Sequence, residues 1–449
     1  MYTYQDLIAV GDNDENRADF VRLAIGEHES TQRFRIGERA GAFYRQIDVE
    51  LEAYKKKVYD MMGNAYEDVA SPNHKLVTNL FYVFIDQAVQ YLLGNGISFD
   101  DPSIKDELGK DFDYRLMDML TYASCDGESY GLYTGHGIEA MCYACRVEGR
   151  EPYFEPLYDE KDGSLKAGIR YWRLAPTKPL RATLYEPDGF TEYEENDDKI
   201  LVTEDGKQKY NGKYYEYDGG LPIFRMGYIN NQSALVGNES KLHTYNMVLS
   251  EYANNVDMNF VYWILENCDG MSKQDDINFI ADTIKSHVLH VQDGVKVEPH
   301  QLQVPYDSKE AFLVRLRDEL YTDFMAADNK NARAGSVTTV EINATYELLD
   351  RKCDKLEKYV GDAVRQLLTI MGKDPDDYPF HFQRAKERNM LEEIQATVAK
   401  AQWYGEDATL KELLEISGKI DEYEEIKEAK QADDLARMGM MAAAQQGGE

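Results

Sequence analysis

The sequence predicts an α+β chain, predominantly helical, and three observations carry that expectation. Apolar residues recur at steps of three and four along several long stretches. Between residues 130 and 224 this rhythm gives way to short β-rich runs with many tyrosines. A small unit, 266–305, stands between two further long helical stretches. Runs of strands set apart from runs of helices describe an α+β chain, not a series of βαβ units.

The first seventy residues read as helical and polar, with Phe43, Ile47, Leu51 and Tyr54 at helix spacing before Lys55-Lys56-Lys57, a run that reads as a solvated helix face. Ser71-Pro72-Asn73 breaks the chain ahead of an apolar helix expected over 76–93, which Gly94 stops. Asn79, Asp86, Gln87 and Gln90 interrupt that stretch, so it reads as an amphipathic helix and not a bilayer span. A further helix is expected over 114–124, joined by Asp126-Gly127 to the β-rich part. Within that part, Asp162-Gly163, Asp188-Gly189, Asn211-Gly212 and Asp218-Gly219 punctuate strands expected over 168–174 and 181–185.

The most distinctive stretch is 220–260. The run Leu221-Pro222-Ile223-Phe224 ends at Asn230-Asn231, and then Leu242, Tyr245, Leu249, Tyr252 and Val256 lie on one helix face. Asn246, Asn254, Asn255 and Asn259 occupy the flank, although asparagine competes for the backbone and disfavours helices. Such a helix is expected to need a partner, either a copy of itself or another helix, with amides free for hydrogen bonding. The next unit is expected to hold a helix over 274–286 and a hairpin of 287–291 with 295–297 around Asp293-Gly294. Phe312, Leu316, Leu320 and Phe324 then mark a helix over 308–324, capped by Asp307 or Ser308. Residues 328–336 read as an exposed loop. Leu349, Cys353, Leu356, Val360, Ala363, Leu367 and Ile370 form a long packed seam. Helices are expected over 387–401 and 410–417, then a charged helix to 437 and a frayed tail over 438–449.

The chain has 449 residues, 82 acidic against 50 basic, for a formal net charge of −32. That charge argues against tight gripping of nucleic acid but not against DNA sliding past. The acidic, polar N-terminus lacks the parts of a secretory signal, and five cysteines without an even framework point to reduced thiols in a cytoplasm. Cys142 and Cys145 form a lone C-x-x-C, and His287 and His290 fall on opposite faces of an expected strand, so no metal is assigned to either pair. No P-loop occurs, which removes a motor ATPase, and no H-E-x-x-H or G-x-S-x-G occurs either. The acidic turn Glu194, Glu195, Asp197 and Asp198 reads as solvated. Assembly, not catalysis, is the expectation.

Pro72-Asn73-His74-Lys75, the helix end Tyr91-Leu92-Leu93-Gly94-Asn95-Gly96-Ile97, Asp126-Gly127-Glu128-Ser129-Tyr130-Gly131, Pro222, Asn230-Asn231, Tyr245-Asn246, Ser250, Asn254-Asn255 and Phe380-His381-Phe382 succeed one another in an order that resembles the portal protein family of tailed double-stranded DNA bacteriophages, siphophage type. The resemblance spans about 33–428. Where members often show Ser-Gly and an apolar-Lys run, this chain has Ala334-Gly335-Ser336-Val337-Thr338-Thr339.

The resemblance implies a ring, usually of twelve copies, with wing, stem, clip and crown regions around a tunnel. Carried onto this chain it implies a wing over 1–238, a stem helix over 239–265, a clip over 266–307, a second stem helix over 308–328, a tunnel loop over 329–339, a long wing helix over 340–378, a crown over 379–437 and a flexible tail over 438–449. Lys330, Asn331 and Arg333 become the candidates for touching DNA, and Asn246, Asn254, Asn255 and Asn259 the candidates for contact between subunits. It implies no catalytic residue and no cofactor. The implied partners are other copies of the chain, double-stranded DNA in the channel, the terminase large subunit, a head-tail adaptor, and the major capsid and scaffolding proteins, with no membrane. The implied location is the virion portal vertex, after assembly in the host cytoplasm. The competing readings are a carboxylate-based hydrolase and a ring-forming virion protein that passes no DNA.

Overall fold

A computed structural model of the chain describes residues 2–59, 64–68, 71–196, 200–203, 206–208, 210, 220–257, 261–266, 296–301, 306–328, 339–385, 394, 397–400, 403, 405–416, 423, 426 and 427. The chain divides into two compact units, Met1–Ala326 with Lys352–Gln383, and Ala327–Arg351 with Arg384–Glu449.

The first unit opens with helices α1 (Tyr4–Val10), α2 (Asp14–Ser30) and α3 (Gln32–Tyr44). Each has a side-chain cap: Thr3, Asn13 and Thr31 accept from the backbone N–H three residues on, which satisfies a donor the helix cannot. The single helix expected through 43–54 is instead broken. Gln46 has φ 61°, and Asp48 caps a new short helix, α4 (Val49–Ala53), by accepting from Leu51 N at 3.0 Å. The lysine run after α4 is not a solvated helix face. It enters a hairpin of β1 (Lys57–Tyr59) with β2 (Ala65–Glu67), Lys55 pairs with Glu67 at 2.8 Å, and Lys56 donates to the Pro72 carbonyl at 2.6 Å.

Helix α5 (Leu80–Leu93) is followed by β3 (Ile97–Phe99), α6 (Ser103–Leu108) and α7 (Phe112–Asp126), which Gly127 closes in the left-handed region. Then come β4 (Glu128–Tyr133), β5 (Ile138–Cys142), β6 (Tyr153–Tyr158), β7 (Leu165–Trp172), β8 (Arg181–Glu186), β9 (Gly189–Glu195), β10 (Leu201–Thr203) and β11 (Ile223–Gly227). They make one eight-stranded sheet in the order β10-β9-β8-β7-β6-β5-β4-β11, antiparallel except at the β5–β6 junction. The turns at Asp162-Gly163 and Asp188-Gly189 join β6 to β7 and β8 to β9, as the dipeptides predict. Asn211-Gly212 and Asp218-Gly219 include residues outside the described set.

Helices α1 and α2 cover the sheet: Phe20, Val21, Ala24 and Ile25 pack on Leu157, Ile169, Tyr171 and Leu184. Within this layer His28 is wholly buried, 2.9 Å from the Tyr171 hydroxyl and 3.3 Å from Glu155. Burial pushes the His28 imidazole down to about 3 and the Glu155 carboxyl up to about 8, so the pair is neutral at pH 7. The edge strand β11 runs against β4, and its Arg225 meets Gln366 of a later helix: Arg225 N–H donates to Oε1 at 3.2 Å, and Nε2 donates to the Arg225 carbonyl at 3.1 Å. One amide thus imitates a strand partner at that edge.

Helix α8 (Glu239–Asp257) and helix α9 (Tyr306–Asp323) bracket the ladder β12 (Val261–Glu266) with β13 (Lys296–Gln301). Two expectations are corrected here. The helix expected over 239–265 ends at Asp257, because the aromatic and β-branched run Val261-Tyr262-Trp263-Ile264 favours a strand. Residues 296 and 297 pair with Leu265 and Glu266, as part of β13, while 267–295 lie outside the described residues. Helix α9 starts at Tyr306, so Asp307 lies in its first turn and neither it nor Ser308 is the cap. Helix α10 (Thr339–Ile370) belongs in part to each unit, and β14 (Phe380–Phe382) pairs with β3. In the second unit α11 (Glu406–Ile416) is described, close to the helix expected over 410–417.

Candidate functional site

The asparagine helix is the place where sequence and structure diverge most usefully. Asn246, Ser250 and Asn254 stand four residues apart on one face of α8, and all three are buried. The chain from 73 to 79, of which 76–79 were expected to begin the apolar helix, lies along this face outside any sheet. His74 N–H donates to Asn254 Oδ1 at 2.6 Å, Leu76 N–H to Ser250 Oγ at 2.9 Å, and Thr78 N–H to Asn246 Oδ1 at 2.9 Å. Four residues of helix rise about 6 Å and two residues of extended chain about 6.6 Å, so the two repeats stay in step over three bonds. Among the described residues the strap has no strand partner, and the helix side chains supply acceptors that a neighbouring strand would otherwise provide. For this reason α5 begins at Leu80 and not at Leu76.

Asn246 also donates through Nδ2 to Asp48 Oδ2 at 3.0 Å. Asp48, itself buried, lies 3.0 Å from His243 Nδ1 as well as capping α4. One carboxylate thus fastens α4 to α8. The face expected to pack, by contrast, is more open: Leu242 is buried, but Tyr245, Leu249 and Tyr252 are only partly covered and Val256 is 60% exposed. Asn246 and Asn254, expected to face another subunit, are buried, and their amide oxygens accept from the 73–79 segment of the same chain. Asn255 is buried too, and its carbonyl accepts from the Tyr306 hydroxyl at 3.4 Å. Asn259 lies outside the described residues, as do Lys330, Asn331 and Arg333.

Helices α8 and α9 run antiparallel: Lys241 pairs with Asp323 at one end and Glu251 with Lys309, 3.4 Å away, toward the other. Tyr252 and Tyr306 meet edge to face at 5.6 Å. Asp307, Glu310, Asp318, Glu319 and Asp323 of α9 line an open groove of about 810 Å³, with Val314 and Arg315 between them. Phe312 (46% exposed) and Val314 (53% exposed) leave apolar surface on the same helix.

The C-terminal end of α9 is anchored from α5 and α10. Phe324 stacks on Phe84 at 4.6 Å, and Lys352 Nζ donates to the Phe324 carbonyl at 3.0 Å. Lys352 is buried, and burial pushes its ammonium down to about 8. A cation at a helix C-terminus offsets part of that cost. The folded-state value is below the unfolded one near 10.5, so between pH 8 and 10.5 the unfolded chain binds more protons and stability rises with pH. Against Lys352→Met, wild-type stability measured by urea unfolding is expected to gain about 1–3 kcal/mol across that window. A constant difference between the two proteins would show that Lys352 titrates normally. Sequence reading missed this residue, although a lysine three after Leu349 and four before Leu356 on the long seam was a usable signal.

Across the sheet, Glu128 at the start of β4 is buried between Arg33 of α3, 2.7 Å away, and Arg225 of β11, and Tyr130 donates to it as well. Burial alone would raise its carboxyl, and Arg33 and then Arg225 overcome this and hold it below the usual range. Among the described residues no helix is long and apolar enough to cross a membrane.

A family model described as "Phage portal protein, SPP1 Gp6-like" matches residues 36–435. The protein named "Portal protein" of Bacillus phage SPP1 is 23% identical over 394 residues, covering 80% of this chain and 76% of that protein. A solved chain from a structure titled "Neck of native GTA particle computed with C12 symmetry" aligns at a TM-score of 0.39 and 9% identity, covering 73% of this chain and 86% of that one.

Proposed function

Because the chain belongs to the SPP1 Gp6-like phage portal protein family, we propose that it forms a ring of about twelve copies at one capsid vertex and serves as the conduit for double-stranded DNA in packaging and ejection. The family is a structural one. The observation that carries the reading is the antiparallel pair α8 and α9, bracketing the β12–β13 ladder, with an acidic groove along α9. Aligned about a rotational axis, such pairs would serve as the stem, the insert 266–307 as the clip, residues 1–238 with the long helix as the wing, and 379–437 as the crown.

The charge suits the task. Twelve chains of −32 carry a formal charge on the order of −400, screened within about 8 Å at physiological salt. An acidic bore keeps DNA from adhering, and a few cations at the tunnel loop, Lys330 and Arg333, would touch phosphates transiently. With Asn246 and Asn254 occupied inside the chain, contact between subunits along the helix pair falls to uncovered apolar groups such as Val256, Phe312 and Val314. The partners of this reading are the terminase large subunit, a head-tail adaptor, and the major capsid and scaffolding proteins, met in the host cytoplasm before the ring becomes part of the virion. A hydrolase built on the 194–198 acidic turn is disfavoured, since Glu194 pairs with Arg181 and Glu195 with Arg173.

Electron microscopy of the purified protein down its axis tests the proposal. An open ring is expected, and Lys330→Ala with Arg333→Ala should keep that ring while lowering DNA packaging or retention. A compact monomer under all assembly conditions would overturn the conduit. Unchanged packaging by the double variant would remove only the role of the two cations.

A further inference from the structure

Helix α7 ends in Cys125-Asp126, and β5 ends at Cys142, followed by a loop to Cys145. The antiparallel pairing of Ser129 with Cys142 folds these two ends together. The lone C-x-x-C thereby acquires neighbours that its local sequence does not show. Side-chain donor atoms of Asp126, Cys142 and Cys145 lie within 4.8 Å of one another, and all three residues are buried. Cys145 is also within side-chain interaction range of Cys125, itself buried.

The carboxylate is half used. Asp126 Oδ2 accepts from the N–H groups of Tyr143, Ala144 and Cys145 at 2.9, 3.0 and 3.2 Å, whereas buried Oδ1 has no hydrogen-bond partner among the described residues. An unpartnered buried carboxylate oxygen beside two thiols is costly unless something completes it. Helix α3 closes the site. A Cβ on Gly37 would overlap Asp126 Oδ1 and one on Gly41 would overlap the Cys145 carbonyl, so only glycine lets the helix approach this closely.

We propose that Asp126, Cys142 and Cys145 form a structural site for one zinc-class divalent cation. Tetrahedral zinc needs sulfur atoms about 3.8 Å apart and sulfur to oxygen about 3.5 Å, inside the spacing of this cluster. Binding exchanges protons for metal: two zinc–sulfur bonds form from Cys142 and Cys145, a zinc–oxygen bond forms to the carboxylate, and the thiol protons leave to solvent with no electron transferred. Arg33 lies close enough to act on Asp126 and offsets the negative charge of the loaded site. The enclosure by α3 gives the ion a role in holding α7, β5 and the 143–145 loop together.

The test uses the full-length protein produced with added zinc and purified under reducing conditions. Elemental mass spectrometry is expected to find about one zinc per chain. Exchange for cobalt alone should give the thiolate charge-transfer band and the strong visible bands of a tetrahedral ion. Cys142→Ser with Cys145→Ser should abolish both signals, and Cys353→Ser and Cys268→Ser should keep them. If the double variant does not fold, wild-type stoichiometry together with the Cys268→Ser result decides. Folded wild-type protein that takes up less than about a tenth of an equivalent of zinc or cobalt overturns the site. So does loss of the bands in Cys268→Ser, or a Cys142–Cys145 disulfide in place of metal.

Discussion

Replacing Asn246 and Asn254 together by leucine is expected to destabilise the chain by about 1–3 kcal/mol, because two partly buried backbone hydrogen bonds are lost at about 0.5–1.5 kcal/mol each. The leucines add apolar surface, which would stabilise a helix face packed on another helix. Here they would leave Thr78 N–H and His74 N–H unpaired and remove the Nδ2 donor from Asp48. The two positions can also be told apart. Asn254 uses its acceptor oxygen on the strap, so Asn254→Asp keeps that hydrogen bond and should cost less than the same change at Asn246. Asn246→Asp sets a second carboxylate against buried Asp48 and should be strongly destabilising. Urea unfolding measures the first quantity, and hydrogen exchange at His74, Leu76 and Thr78 reports whether the strap has detached. Equal stability of Asn246→Asp and Asn254→Asp would refute the in-step arrangement of strap and helix.

That arrangement also shows where sequence reading stops. The period of the long helices is a local property, so 112–126, 306–323 and the seam from Leu349 to Ile370 were legible from spacing, and turn dipeptides marked two of the sheet's hairpins. The side of α8 that is buried is not a local property. It depends on an extended segment some 170 positions away, whose backbone needs acceptors, and that need makes the polar face the buried one. The apolar positions read as a packing seam end in exposed Val256 for the same reason. The break at Gln46 and the strand after Asp257 were missed differently. Each comes after a stretch whose helical spacing looked continuous, and in each the chain turns because a neighbouring element, α4 or the β12–β13 ladder, offers better hydrogen bonding than another helical turn. Order of motifs along the chain reached the family where no single motif could.

Glu128→Gln is expected to cost about 3–5 kcal/mol, the range for removing one partner of a buried ion cluster, and to fall toward its lower end. Both guanidinium groups keep some solvent contact, with side-chain exposures of 34% for Arg33 and 33% for Arg225, so neither is wholly stranded when the carboxylate goes. Its pH dependence has a defined sign. The folded carboxyl is held below its unfolded value, so its contribution is fully present above the unfolded value near 4.5 and is lost as pH falls through the depressed folded one. The wild type and Glu128→Gln should therefore converge in stability on acidification. Geometry extends the consequence. Arg225 reaches Glu128 with its side chain and Gln366 of α10 with its backbone, so a displaced Arg225 should loosen the edge of the sheet from the long helix. Gln366→Ala in the Glu128→Gln background is then expected to cost less than in the wild type, a coupling that a double-mutant cycle of urea unfolding would read directly. Additive costs would mean that the ion cluster and the strand-mimicking amide hold the edge independently.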